Sequence, residues 1–190
     1  MYPFFRMVSP TGESSLVKAR QLLQEGQHQE AIAEYQKLLT VTSDQSWSPF
    51  YLGERLSLLG DWEGAADAYR QAMSLSPNSL GYYCLGVALV QLQRWHEAIE
   101  VLEQGLALEP GYADLYLPLS QAFAHKQDWH KAIEAIERAV ALKPEVPEFN
   151  LQLGQLLRRQ GRFEEAVGYL QRAVAVKGDD PQSRLELGVA

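Results

Sequence analysis

Apolar residues recur along the chain at helical spacing, in stretches that are separated by short polar links containing glycine or proline. One column of this pattern is a small residue, alanine, which returns after steps of 34, 33, 34 and 34 residues. Its members are Ala31, Ala65, Ala98, Ala132 and Ala166. A period of this length holds one pair of antiparallel helices. The pattern therefore predicts an all-α chain built as a stack of helical hairpins, without one central core.

Three further columns keep the same period. A second small residue lies 12 positions before each alanine, a ring lies three before it, and a large apolar residue lies four after it. These columns are Ala19, Gly53, Gly86, Ser120 and Gly154; His28, Trp62, Trp95, Trp129 and Phe163; and Tyr35, Tyr69, Leu102, Ile136 and Leu170. Small side chains let two backbones approach closely while large ones fill the flanks. The small columns are therefore predicted to mark the helix crossing inside each hairpin.

Local signals predict where the helices begin and end. In the second hairpin, Ser48 is predicted to cap the first helix and Pro49 to be its first residue. Glycines able to adopt positive φ are expected to end first helices, and prolines to follow second helices. These residues are Gly26, Gly60 and Gly161, and Pro77, Pro110 and Pro144. Second helices are predicted to begin near Gln29, Trp62, Trp95, Trp129 and Phe163.

Taken together, these columns resemble the tetratricopeptide repeat (TPR) family, in a bacterial-type array of five repeats plus the start of a sixth. The repeats start near residues 12, 46, 79, 113 and 147, and a partial one starts near 181. The resemblance covers residues 12–190, with an apolar N-terminal segment at 1–11 before it. It implies an α-α superhelix, the TPR solenoid. Either the chain is a fragment of a longer protein, which we favour, or its last helix is a cap.

Composition and charge narrow the classes of partner. A net charge of −7 and a pI near 5.1 argue against nucleic acid as a ligand. No apolar run approaches the roughly 18 residues of a membrane span, so no membrane association is predicted. The single cysteine, Cys84, excludes an internal disulfide. A cytoplasmic location is the prediction that follows.

The sequence offers no motif for catalysis or for a cofactor. It contains no glycine-rich phosphate loop, no zinc-binding helix pattern and no nucleophile elbow. His96 and His130 each follow a tryptophan at the same point of the repeat and are predicted to be solvated. We therefore predict no catalytic residues, no metal, no cofactor and no enzymatic activity.

In the proteins that this chain resembles, the first helix of each repeat lines a concave groove, so the resemblance implies a set of groove residues. The apolar members are Leu16, Trp47, Phe50, Leu80, Tyr83, Val87, Val90, Leu117 and Leu151, and the polar ones are Gln121, His125, Gln155, Arg158 and Arg159. The lysines and asparagines of two familiar TPR ligand sites, the carboxylate clamp and the asparagine ladder, are absent from the matching positions. Tyr83 and Leu117 could instead pack against a neighbouring helix, and the two arginines could be solvated.

The predicted function is a non-catalytic protein-protein interaction module that binds a peptide or helix in this groove. The alternative is the substrate-recruiting repeat region of a larger enzyme, such as a glycosyl- or methyltransferase, with its catalytic domain beyond residue 190. Residues 1–10 are apolar and could mediate weak self-association or lie in a groove.

Overall fold

The computed structural model describes residues 47–177 and, before them, ten positions: 17, 18, 21, 22, 25, 27, 30, 33, 34 and 37. Within this part of the chain every regular element is helical. The α-helices are α1 Trp47–Leu58, α2 Trp62–Leu75, α3 Ser79–Gln91, α4 Trp95–Leu108, α5 Tyr116–His125, α6 Trp129–Leu142, α7 Pro147–Arg159 and α8 Phe163–Lys177. A 3-10 turn, Ala113–Leu115, precedes α5. The predicted all-α repeat fold is confirmed.

The second helices begin where the ring column predicted. Helices α2, α4, α6 and α8 start at Trp62, Trp95, Trp129 and Phe163, while Gln29 lies outside the described residues. Asp61 and Asp128 cap two of these helices by accepting backbone N–H groups at 3.0 and 3.3 Å. The other two are preceded by arginines that donate to a glutamate in the first turn. Both arrangements place a carboxylate at the positive end of the helix.

The predicted start of α1 is wrong. The helix begins at Trp47, so Ser48 lies inside it and Pro49 is its third residue. The N–H groups of the first helical turn have no acceptor within the helix, so proline is tolerated at the third position as well as at the first. Pro49 is buried. Its burial places the start of α1 against the core.

The turn after each first helix contains a residue with positive φ. Gly60 and Gly161 have φ of 78° and 74°, as predicted, while Gly26 lies outside the described residues. Two glutamines at the equivalent repeat positions, Gln93 and Gln127, also adopt the left-handed region, with φ of 58° and 62°. These two were not predicted from the sequence, because a Cβ makes this conformation unfavourable.

The chain divides into two compact units, residues 1–92 and 93–190. In the first, α1 and α2 cross where the small column predicted. A Cβ added to Gly53 would lie 2.7 Å from the Tyr69 ring, so only glycine fits there. The Ser57 hydroxyl donates within α1 to the Gly53 carbonyl at 2.7 Å and lies 3.1 Å from the hydroxyl of Tyr69 in α2, which links the two helices. The hairpin is therefore held by close backbone approach.

An ion-pair cluster lies earlier in the first compact unit. Glu34 is buried, and its carboxylate accepts hydrogen bonds from the ammonium groups of Lys18 and Lys37, both at 2.9 Å. These two bonds hold the pKa of Glu34 below its ordinary value, although burial acts in the opposite direction.

The second compact unit contains α4–α8 and repeats the same crossings. A Cβ on Gly154 of α7 would lie 2.7 Å from Cγ of Leu170 in α8. In the preceding hairpin, Ser120 takes the glycine position and its hydroxyl donates to the Ala132 carbonyl at 2.7 Å. The aligned alanines in the described region are all fully buried: Ala65, Ala98, Ala132 and Ala166. The predicted role of the small columns is confirmed.

None of the helices in the described part of the chain is long and apolar enough to cross a membrane. The predicted N-terminal segment, the partial sixth repeat and the first-repeat residues Ala19, His28 and Ala31 lie outside the described residues.

Candidate binding surface

The first helices carry two apolar columns that differ in exposure, two residues apart. One is Leu52, Leu85, Leu119 and Leu153, whose exposed fractions are 6%, 3%, 5% and 0%. The other, which we call the face column, is Phe50, Tyr83, Leu117 and Leu151, and each of these is half-buried. Positions two apart on a helix differ by about 200° in direction, so a leucine anchored in the core turns the face-column residue away from it.

In the first compact unit, the face column is accompanied by other apolar groups. Leu80, one turn before Tyr83, is 38% exposed, and Val87, one turn after it, is half-buried. Part of Phe50 belongs to its own hairpin, because its ring centroid lies 5.5 Å from that of Tyr69. Val90 is 7% exposed, so its side chain offers little surface to a partner. Leu16 and the side chain of Trp47 lie outside what the structure describes.

In the second compact unit, the neighbours of the face column are polar. Gln121 and Gln155 lie one turn after Leu117 and Leu151, and both are half-buried, as is Arg158. The same register of the repeat therefore presents valine in α3 and glutamine in α5 and α7. This face can offer amide hydrogen bonds beside apolar contacts.

His125 and Arg159, predicted as groove residues, lie at the ends of α5 and α7 and are exposed. The His125 ring stacks on Trp95, with centroids 4.1 Å apart and planes within 4°. The Arg159 guanidinium lies over Trp129, 5.7 Å from the ring centroid. Trp129 lies 34 residues after Trp95, and Arg159 lies 34 residues after His125, so the two pairs occupy equivalent positions of the repeat. The sequence contained this signal, the shared spacing of both partners, but the pairing was not predicted.

Other histidines lie at the same end of the second compact unit. His96 is exposed, as predicted, and its Nδ1 accepts a hydrogen bond from the Lys126 ammonium at 3.0 Å. His130 is exposed. Phe163, the last member of the ring column, is 51% exposed, whereas Trp95 and Trp129 are half-buried beneath their stacked partners.

The buried titratable groups near α1–α3 are poorly suited to chemistry. Burial raises the pKa of the Cys84 thiol to about 11, and the Glu54 carboxylate acts in the same direction. Burial also raises the pKa of Tyr69. Both groups are therefore protonated at neutral pH, and a protonated thiol is a weak nucleophile. Within the described ranges, no group of histidine, cysteine and carboxylate side chains could hold a metal ion.

Comparison with known protein families agrees with this geometry. Two family models described as tetratricopeptide repeat match residues 83–147 and 119–185. A third, described as anaphase-promoting complex, cyclosome, subunit 3, matches residues 24–105. Sperm-associated antigen 1 of Mus musculus is 33% identical over 67 residues, which are 35% of this chain and 7% of that protein. The chain thus aligns with less than a tenth of this curated relative.

Solved structures extend the likeness to most of the chain. MamA (41-end) from Desulfovibrio magneticus RS-1 has a TM-score of 0.78 at 23% identity, covering 91% of this chain and 99% of that one. YrrB, described as a TPR protein with an unusual peptide-binding site, has a TM-score of 0.69 at 18% identity, covering 90% and 89%. At these identities the likeness concerns the fold. The two repeat models, which together span residues 83–185, and the buried alanine column show that the chain belongs to the tetratricopeptide-repeat proteins.

Proposed function

We propose that this protein is a non-catalytic interaction module that binds a peptide or helix against its face column. The TPR fold is typical of protein-protein interaction scaffolds, and the recognition of a peptide is the finer part of the proposal. The cytoplasmic location and the absence of a nucleic-acid ligand stay predictions from the sequence.

The observation that carries the proposal is the contrast between the two apolar columns of the first helices. The core column is buried in every described repeat, while the face column keeps part of each large apolar side chain in water. Burying a whole leucine side chain stabilises a complex by about 1.5–3 kcal/mol. Each half-buried residue of the face column would contribute a fraction of this when a partner covers its exposed part. Within the second compact unit, a peptide with apolar anchors that match Leu117 and Leu151 would gain from both contacts.

Two further observations support a polypeptide ligand. The glutamines beside Leu117 and Leu151 can donate to and accept from a peptide backbone. YrrB, which shares the fold, is described as having a peptide-binding site. Tyr69 is buried and Cys84 is half-buried, and because both are protonated at neutral pH they support a role without catalysis.

The test compares two pairs of leucines in the second compact unit. Leu117→Asn with Leu151→Asn alters the face column, while Leu108→Asn with Leu142→Asn alters leucines at the ends of second helices that are 56% and 40% exposed. Peptides are first selected from a displayed library with the parent protein, and their affinities are then measured by fluorescence polarisation.

We expect the face-column pair of substitutions to lower the affinity for the selected peptides about tenfold or more, since roughly 0.7 kcal/mol or more of binding free energy is lost at each leucine. The control pair should leave the affinity within about twofold. Equal effects of the two pairs, or a library that yields no binding peptide, would contradict the proposal. Circular dichroism melts of both pairs verify that the variants are folded.

A further inference from the structure

One end of the second compact unit collects exposed basic and aromatic side chains, and we call it the turn edge. It consists of Trp95, His96, His125, Lys126, Trp129, His130 and Arg159. Two contacts link its members across hairpins: the Lys126 ammonium lies 3.0 Å from Nδ1 of His96, and the ring centroids of His125 and Trp95 are 4.1 Å apart. The turn between α5 and α6 then connects them to Trp129 and Arg159. The turn edge is therefore one continuous surface.

Within the described part of the chain, no carboxylate forms an ion pair with the lysine or the arginine of this edge, Lys126 and Arg159. The carboxylates at the starts of α4 and α6 are engaged elsewhere. Glu97 accepts two hydrogen bonds from Arg94 at 2.6 and 2.7 Å, and Asp128 caps α6 and pairs with Lys131.

Stacking also orders the groups that a ligand would meet. The His125 ring lies flat on Trp95 and the Arg159 guanidinium lies over the Trp129 ring, so both groups lose less freedom on binding than solvated side chains would. An arginine in a cation-π contact with a ring retains its N–H donors, and a carboxylate can pair with them in a bidentate manner. Two such ordered groups recur at one repeat interval, at positions 125 and 159.

We propose that the turn edge binds an acidic stretch of polypeptide. This extends the proposed function, because it assumes again that the ligand is a polypeptide, but it uses a surface outside the face column. An acidic peptide fits better than nucleic acid, since a chain with a net charge of −7 lacks the broad positive surface that a phosphate backbone requires, whereas a few carboxylates need only a local cluster of cations.

The experiment titrates the full chain with poly-L-glutamate and follows tryptophan fluorescence and calorimetric heat, with poly-L-lysine as the probe of opposite charge. The test variant is His125→Ala with Arg159→Ala. The matched control is Arg172→Ala, which removes an exposed arginine lying 5.3 Å from the Tyr169 ring, outside the turn edge but in the same compact unit. Both changes remove one permanent positive charge, so non-specific attraction to the probe falls equally.

We expect the test variant to weaken poly-L-glutamate binding about three- to tenfold, from the loss of two surface contacts. The control should change it by less than about twofold. A second variant, Arg159→Lys, keeps the charge and loses the bidentate geometry, and it should fall between the two.

The proposal is overturned if Arg172→Ala weakens binding as much as the test variant does, or if a single-stranded oligonucleotide of equal charge binds more tightly than poly-L-glutamate. The Leu117→Asn/Leu151→Asn variant separates this result from the proposed function. If that variant loses its selected peptides but retains poly-L-glutamate binding, the two surfaces act separately. If only the turn-edge variant loses poly-L-glutamate and the face-column variant keeps every peptide, the turn edge stands while the proposed function fails.

Discussion

Replacing Gln127 by glycine should stabilise the protein, although the change removes a whole side chain. Gln127 is exposed and adopts φ of 62° in the turn between α5 and α6. The equivalent residue two helices later is Gly161, with φ of 74°. A Cβ built on Gly161 would have no neighbour closer than 4.0 Å, so this position is limited by backbone conformation and not by space. The two turns therefore allow the same repeat position to be tested in both directions, by adding a glycine at Gln127 and by removing one at Gly161.

The magnitude follows from two opposing terms. A residue with a Cβ pays about 1–2 kcal/mol to adopt the left-handed conformation. Glycine relieves this strain, but it also makes the unfolded chain more flexible, which lowers the stability of the folded state by about 0.4–1 kcal/mol. We expect Gln127→Gly to raise the free energy of unfolding by about 0.5–1 kcal/mol, and Gly161→Ala to lower it by a similar amount. For a chain of this size, the midpoint temperature should shift by roughly 1–4 °C in each direction.

The assay is urea unfolding and thermal melting of the parent and both variants, followed by circular dichroism. Gln160→Gly is the matched control, because Gln160 precedes Gly161 in the same turn but has φ of −86°. At Gln160 a glycine relieves no backbone strain and only makes the unfolded chain more flexible, so the free energy of unfolding should fall by about 0.4–1 kcal/mol. If Gln127→Gly lowers the midpoint as Gln160→Gly does, the assigned strain at Gln127 is refuted.

Three other predictions follow from the packing and the charges. Gly154→Ala should lower the free energy of unfolding by about 1–3 kcal/mol, because its Cβ would lie 2.7 Å from a leucine of α8; a parent-like urea midpoint would contradict this. Cys84, with a pKa of about 11, should react with iodoacetamide at pH 8 on the order of 100 times more slowly than an exposed thiol, and a rate that levels off below pH 10 would refute that value. Because its two lysine partners lower the pKa of Glu34 on folding, the stability from this cluster is present above the ordinary value of 4.5 and is lost as the pH falls through the folded-state pKa. Glu34→Gln should therefore lower the melting temperature at pH 7 more than at pH 3, and equal shifts at both would contradict the cluster.

The period of the sequence predicted the hairpins because one residue type served one geometric need in every repeat. Ala98 and Ala132 are fully buried at equivalent positions, and Gly53 and Gly154 meet a large side chain at the same crossing. These needs are local to a hairpin, so they show directly in a single sequence. The start of α1 was missed because both Ser48 and Pro49 have more than one acceptable place in a first turn.

The candidate surface was harder to predict, because its exposure depends on the following hairpin. The direction of Leu117 follows from the core leucine two positions later, but its half-burial is a result of neighbours that the sequence does not identify. The stacking of His125 on Trp95 joins residues 30 positions apart in different hairpins. A periodic sequence gives the register within a hairpin, whereas such contacts require the packing of one hairpin on the next.

The repeats keep the same crossings and differ at the exposed end of the first helix, where binding chemistry can change without loss of fold. That position holds Leu58 and Gln91 in the first compact unit, and His125 and Arg159 in the second. Only the second pair lies on tryptophans as an ordered cation or ring, while Leu58 is 71% exposed. Since side chains here pack on the surface of a formed hairpin, substituting them costs little stability. The two compact units therefore expose different chemistry at one repeat position, and exchanging His125 and Arg159 for the leucine and glutamine of the first unit should weaken poly-L-glutamate binding while the melting temperature stays at the parent value.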